Sequence, residues 1–159
     1  LDLSPELRSF DIHMAFTSRQ HALAEELMTL EDPRDRLQAV VDRARNTPRF
    51  SELERIASHR VAGCRTDVWL IAEMRNGRCY FRSDAESPLV RGLVELLTVF
   101  YSGATAAEIG ATEADPLVTL DLARTLSSTR QHGLAAVQLA IRAFATKQLT
   151  ARAETSEPV

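Results

Sequence analysis

The spacing of apolar residues changes period twice along the chain, from helical to strand-like and back. Phe16, Leu23, Leu27 and Leu30 share one face of a helix predicted from Phe16 to Leu30. Asp32-Pro33 then reads as a helix start, an N-cap acceptor followed by proline at the first helical position. Leu37, Val40, Val41 and Ala44 follow at i, i+3, i+4 and i+7, an amphipathic stripe that Pro48 ends. Ser51 to Ala57 has the length of a helical turn and leads to a strand predicted around His59–Val61.

The middle of the chain reads as strand. Asp67–Met74 and Arg78–Ser83 are two β-favouring runs, and Asn76-Gly77 between them fits a two-residue hairpin turn in which both positions need positive φ. Ser87-Pro88 opens the next helix, where Arg91, Glu95, Thr98 and Ser102 form a polar stripe among mostly apolar positions. That helix is predicted to be largely buried, with Gly103 capping it. Shorter helices are predicted at Thr105–Ile109 and after Asp115-Pro116. A last helix, capped by Ser128 and running to about Gln148, turns Leu134, Val137, Ile141 and Phe144 inward.

Helices, a small antiparallel meander and helices again argue for an α+β fold with segregated layers. The expectation is a three-stranded antiparallel sheet packed by helices on one side. At 159 residues one domain suffices, able to bury about two-thirds of its unfolded surface. We place it at residues 14–150. Residues 1–13 show no period, and His13-Met14 resembles a cloning junction, so they read as an added or flexible leader; residues 151–159 read as a flexible tail.

Charge narrows the function classes. Nineteen basic residues stand against 22 acidic, a net charge of −3, and Lys147 is the only lysine. Such a balance attracts neither nucleic acid nor an anionic membrane strongly. No run approaches the roughly 18 apolar residues of a transmembrane helix. Two cysteines without a framework fit a reducing compartment, so a cytoplasmic location is expected.

Chemistry then rests on one segment. Arg60-Val61-Ala62-Gly63-Cys64-Arg65-Thr66-Asp67-Val68-Trp69 places a thiol between a glycine and a strand, on a loop held by a rigid element. Cys79, within Arg78-Cys79-Tyr80-Phe81, reads as a packing residue. Neither cysteine belongs to a C-x-x-C pair, and His13, His21, His59 and His132 are scattered, so no metal or cluster site is predicted. Phosphate-cradling glycine motifs and a G-x-S-x-G elbow are absent from the sequence. Glu25-Glu26 and Asp84-Ala85-Glu86 read as solvated carboxylates. His59 and His132 are candidate bases for the thiol. Arg130 is a candidate thiolate stabiliser, because a cation at a helix N-terminus is unfavourable without such a purpose.

Several motifs in a fixed order resemble the SufE family, the sulfur-acceptor partners of cysteine desulfurases. They are Val61-Ala62-Gly63-Cys64 with Val68-Trp69, Ser87–Leu93, Tyr101–Thr105 with Glu108-Ile109, and Leu126–Leu134 with Ala140-Ile141-Arg142, spanning roughly residues 32 to 146. The resemblance implies a fold similar to the IscU-type scaffolds. It implies that Cys64 is the persulfide-forming acceptor and matches Arg130 to the family's Arg-x-x-Gly segment. Where the family commonly has Gln-Ser after the cysteine, this chain has Arg65-Thr66.

The implied function is to take sulfur from a SufS-like, pyridoxal-phosphate-dependent desulfurase, stimulate that enzyme, and deliver sulfur to an iron–sulfur scaffold. No cofactor of the chain's own and no stand-alone enzyme activity is expected. Val61, Val68 and Trp69 are expected to shelter the sulfur, with Gly63 as the pivot of the loop. Two other readings stay open: a scaffold that itself binds a cluster, and a self-contained thiol enzyme using Cys64 and His59.

Overall fold

Asn76 and Gly77 take φ values of 51° and 76°, the paired positive dihedrals of a two-residue hairpin turn. The turn joins β1 (Val68–Arg75) to β2 (Arg78–Ala85) in an antiparallel register from Arg75↔Arg78 to Val68↔Ala85. This is a computed structural model, and it describes residues 20–113 and 115–155.

The register sorts the hairpin into two faces. Val68, Leu70, Ala72 and Met74 lie across from Ala85, Ser83, Phe81 and Cys79, and this face supplies most of the sheet's share of the hydrophobic core. The helices α3 (Pro88–Tyr101) and α6 (Ser128–Thr155) pack against the hairpin. Phe81 meets Phe144 of α6 edge-on, with ring centroids 5.7 Å apart. The helix α1 (residues 20–28) adds Leu23 and Leu27 to the core; the predicted start at Phe16 lies outside the described residues.

α2 (Pro33–Ala44) is capped by Asp32, whose side chain accepts from the Arg34 N–H. It packs on α3 at Gly92, where a Cβ would lie 2.9 Å from the Val41 Cα; glycine is what permits that approach. Gly103, at φ 88°, ends α3, and its N–H donates to the Cys79 carbonyl. α4 (Ala106–Ala111) begins with a reciprocal capping box between Thr105 and Glu108. α5 (Pro116–Thr119) is capped by Asp115.

Three expectations need correction. Among the described residues the sheet has two strands, and the predicted third is reduced to one bridge, Arg60 to Trp69. Ala57–His59 forms a 3-10 turn, and Gly63 at φ 91° turns the chain away again, leaving only Arg60 and Val61 extended beside β1. Secondly, Ser127 rather than Ser128 caps α6, its hydroxyl accepting from the Arg130 N–H at 3.3 Å. The helix then runs past Gln148 to Thr155, through part of the predicted tail.

The third correction concerns Asp84, which is buried rather than solvated. Its carboxylate accepts from the Phe50 N–H (2.9 Å) and pairs with Arg49 (3.0 Å), Arg55 (2.9 Å) and Arg91 (3.3 Å). Burial alone would raise this carboxyl. Donation from the Phe50 N–H, Arg55, the Ala85 N–H and Arg49 outweighs that and holds it below its ordinary value. The arginines come from the segment after α2 and from α3, so one carboxylate ties that segment to the second face of the hairpin. Arg55 also sits over the Trp69 ring, 5.0 Å from its centroid.

Candidate functional site

The segment 61–67 leaves the sheet as a short loop whose base is closed twice. The Val61 N–H donates to the Val68 carbonyl at 2.9 Å, and Arg60 pairs with Asp67 at 2.7 Å. Cys64 lies in this loop and is turned inward against α6. Its Sγ is 3.3 Å from the Gly133 carbonyl, to which the thiol donates.

Two small residues of α6 make that seat. A Cβ on Gly133 would come 3.6 Å from the Cys64 Sγ, and one on Gly63 would come 3.3 Å from the Ala136 Cβ. The loop therefore lies on the helix along Gly133 and Ala136, with Gly63 supplying the left-handed backbone that bends it there.

Beside the thiol is a cavity of about 340 Å³, within the size range of small-molecule sites. Its apolar floor is Val68, Val90, Val94, Leu134 and Val137. Hydroxyls of Thr66, Ser87, Ser127 and Thr129 and the arginines Arg65 and Arg130 complete the lining, which contains no carboxylate. Of the residues expected to shelter the sulfur, only Val68 lines this cavity. Val61 and Trp69 are buried but absent from its wall: Trp69 lies on the opposite face of β1, under Arg55.

Arg130 shares the cavity wall with Cys64. A second cation, Arg60, acts on the thiol from the base of the loop. Burial pushes the Cys64 thiol up, and the nearby Arg60 charge opposes it only in part, so the resting thiol stays protonated at neutral pH. The sequence reading attached no role to Arg60 or to the Gly133 carbonyl. The Arg-x-x-Gly spacing contained a signal for Gly133, since Arg130 and Gly133 lie one helical turn apart.

The candidate bases do not converge. The His59 Nδ1–H donates to the Glu54 carbonyl at 2.8 Å, His132 is exposed, and neither lines the cavity. Both cysteines are free; Cys79 is fully buried, its Sγ 3.4 Å from the Met74 Sδ. Among the described residues no group of three or more His, Cys, Asp or Glu is placed to hold a metal ion, and no helix is long and apolar enough to cross a membrane. Arg91 and Arg142 are both engaged: Arg91 with Asp84 and the Thr47 carbonyl, Arg142 with the Ile109 carbonyl.

Comparison with known proteins places the chain in a family. The chain is 36% identical over 121 residues to the sulfur acceptor protein CsdE of Escherichia coli K12, covering 72% of this chain and 79% of that protein. It is 30% identical over 132 residues to an uncharacterized SufE-like protein of Rhizobium etli, covering 80% and 89%. A solution structure of a hypothetical protein from Thermus thermophilus shares the fold, with a TM-score of 0.67 at 21% identity over 84% of this chain and 97% of that one. The family described as "SufE: Fe-S metabolism associated domain" matches residues 21–145, and the chain belongs to the SufE family.

Proposed function

We propose that the protein accepts sulfur from a cysteine desulfurase onto Cys64 and carries it as a persulfide. The observation that carries this reading is the seat of Cys64: a free thiol in a closed loop, held against α6 beside a cavity with a largely apolar floor. The sulfur acceptor CsdE, a relative over most of the chain, supports the same reading.

The chemistry follows from thiol exchange. The Cys64 thiolate attacks the terminal sulfur of the partner's persulfide. A new S–S bond forms, the old one breaks, and its electron pair leaves on the partner's cysteine sulfur. In the seated state the thiol is protonated, because burial favours its neutral form. Movement of the loop off α6, with Gly63 as pivot, restores ordinary acidity and brings the sulfur to the partner. On return, the cavity holds the added sulfur away from bulk solvent. Val61 and Trp69 serve this motion by anchoring the base of the loop, and Arg130 stabilises anionic sulfur inside the cavity.

The partner is a SufS-like enzyme that contributes the pyridoxal phosphate, and the sulfur goes on to an iron–sulfur assembly scaffold. The carrier itself turns over no substrate alone. It works in the cytoplasm through a domain of residues 14–150. The test is desulfurase turnover of free cysteine with and without this protein. Wild type should raise the rate and Cys64→Ser should abolish the gain; equal stimulation by both would overturn the assignment of Cys64.

A further inference from the structure

The cavity beside Cys64 is larger and more cationic than a shelter for one sulfur atom requires. Its volume is about 340 Å³, and Arg65 and Arg130 stand in its wall without any facing carboxylate. Most arginines of this chain are tied to an acid or a carbonyl, as Arg49, Arg55, Arg60 and Arg91 are. Among the described residues, Arg65 and Arg130 have no ion-pair partner. Two unpaired guanidiniums above an apolar floor form a site for a small anion with an apolar stem. The first turn of the 28-residue α6, which carries Thr129 and Arg130, adds its positive end to the same wall.

We propose that this cavity binds a small thiol carboxylate, of which free cysteine is an example, and that this thiol is a second acceptor for the sulfur held on Cys64. The carboxylate pairs with Arg65 and Arg130, for which guanidinium geometry is well suited. That places the ligand's sulfur beside Cys64. Its thiolate attacks the terminal sulfur of the Cys64 persulfide, forming a new S–S bond. The bond to the Cys64 Sγ breaks and its electron pair stays there, to be protonated from solvent; no external oxidant or reductant enters. The product is a small-molecule persulfide and free Cys64. This inference rests on the proposed role of Cys64 as sulfur carrier, and it deepens that role by naming a small-molecule outlet.

The binding half is tested without any desulfurase. Cys64 of the full chain is alkylated with iodoacetate and with iodoacetamide, and the two rates are followed by mass spectrometry. The iodoacetate-to-iodoacetamide ratio should be about fivefold higher in wild type than in the Arg65→Gln/Arg130→Gln double variant, at the upper end of what exposed charges contribute. Using the ratio removes any general change in thiol reactivity.

The transfer half uses Cys64 persulfide prepared with inorganic polysulfide. Its discharge by 3-mercaptopropionate should saturate with concentration, and in the double variant it should slow about fivefold more than discharge by cysteamine does. Alkylation and discharge ratios equal in the two proteins would overturn the proposal. If instead these selectivities hold but no desulfurase loads Cys64, the donor assignment fails and this site stands.

Discussion

Gly63→Ala is the sharpest single perturbation of the Cys64 loop. At φ 91° an L-residue is strained, and its Cβ would lie 3.3 Å from the Ala136 Cβ, tighter than an ordinary contact. The backbone part alone costs about 1–2 kcal/mol. The loop can relieve that strain by lifting away from α6, because Ala62 and Gly63 are exposed and the contact that seats it is the weak thiol bond from Cys64 to the Gly133 carbonyl. Urea unfolding should therefore show a loss of at most that amount. The opening equilibrium of the loop should shift by the same energy, which is about 5- to 30-fold. Iodoacetamide labelling of Cys64 at fixed pH reads that shift directly as a faster rate. Gly133→Ala is the control: its Cβ meets the Cys64 Sγ at 3.6 Å, an ordinary contact, and helix propensity favours alanine by about 0.5–1 kcal/mol. It should raise stability without accelerating labelling. If Gly63→Ala changes neither stability nor labelling, the loop does not hold the strained seat described above.

Two further predictions concern titrating groups. Asp84→Asn should cost about 3 kcal/mol in urea unfolding, because it leaves Arg55 and Arg91 partly buried without their carboxylate. Since the folded Asp84 carboxyl lies below its ordinary value, its contribution is complete above about pH 4 and fades as pH falls through the folded value; the variant should lack that part of the acid dependence. For Cys64, whose thiol is pushed up, the pH profile of alkylation should have its midpoint above the ordinary thiol value of about 8.5, and Arg60→Gln should move it higher still. A wild-type midpoint at or below the ordinary value would contradict a buried resting thiol.

Local chemistry explains which features were legible in the sequence. The Asn76-Gly77 turn, the Asp32 cap and the Gly63-Cys64 loop depend on residues adjacent in the chain, and each is where its local signal placed it, while Thr105, read as the first residue of a helix, is its cap. The third strand failed because Arg60-Val61 is too short to pair beyond one bridge once Ala57–His59 and Gly63 turn the chain on either side. Asp84 was misread because its partners, Arg49, Arg55 and Arg91, are 35, 29 and 7 residues away, and no local pattern marks them as converging. The same holds for the Gly133 carbonyl, 69 residues from the thiol it receives. Trp69 is expected to shelter the sulfur as an apolar neighbour of Cys64, yet adjacent strand residues point to opposite faces, and of Val68 and Trp69 only Val68 lines the cavity.

The central claim is that sulfur from a desulfurase is carried on Cys64, and peptide mapping tests it most directly. The protein is incubated with a cysteine desulfurase and free cysteine, its thiols and persulfides are capped, and it is digested with trypsin. Cleavage after Arg60 and Arg65 releases Cys64 in the peptide 61–65, while cleavage after Arg78 and Arg82 releases Cys79 in the peptide 79–82, so the two sulfurs separate. The account predicts one added sulfur, removable by dithiothreitol, on the 61–65 peptide and none on 79–82. Added sulfur on the 79–82 peptide, or none on either with an active and compatible desulfurase, would contradict it.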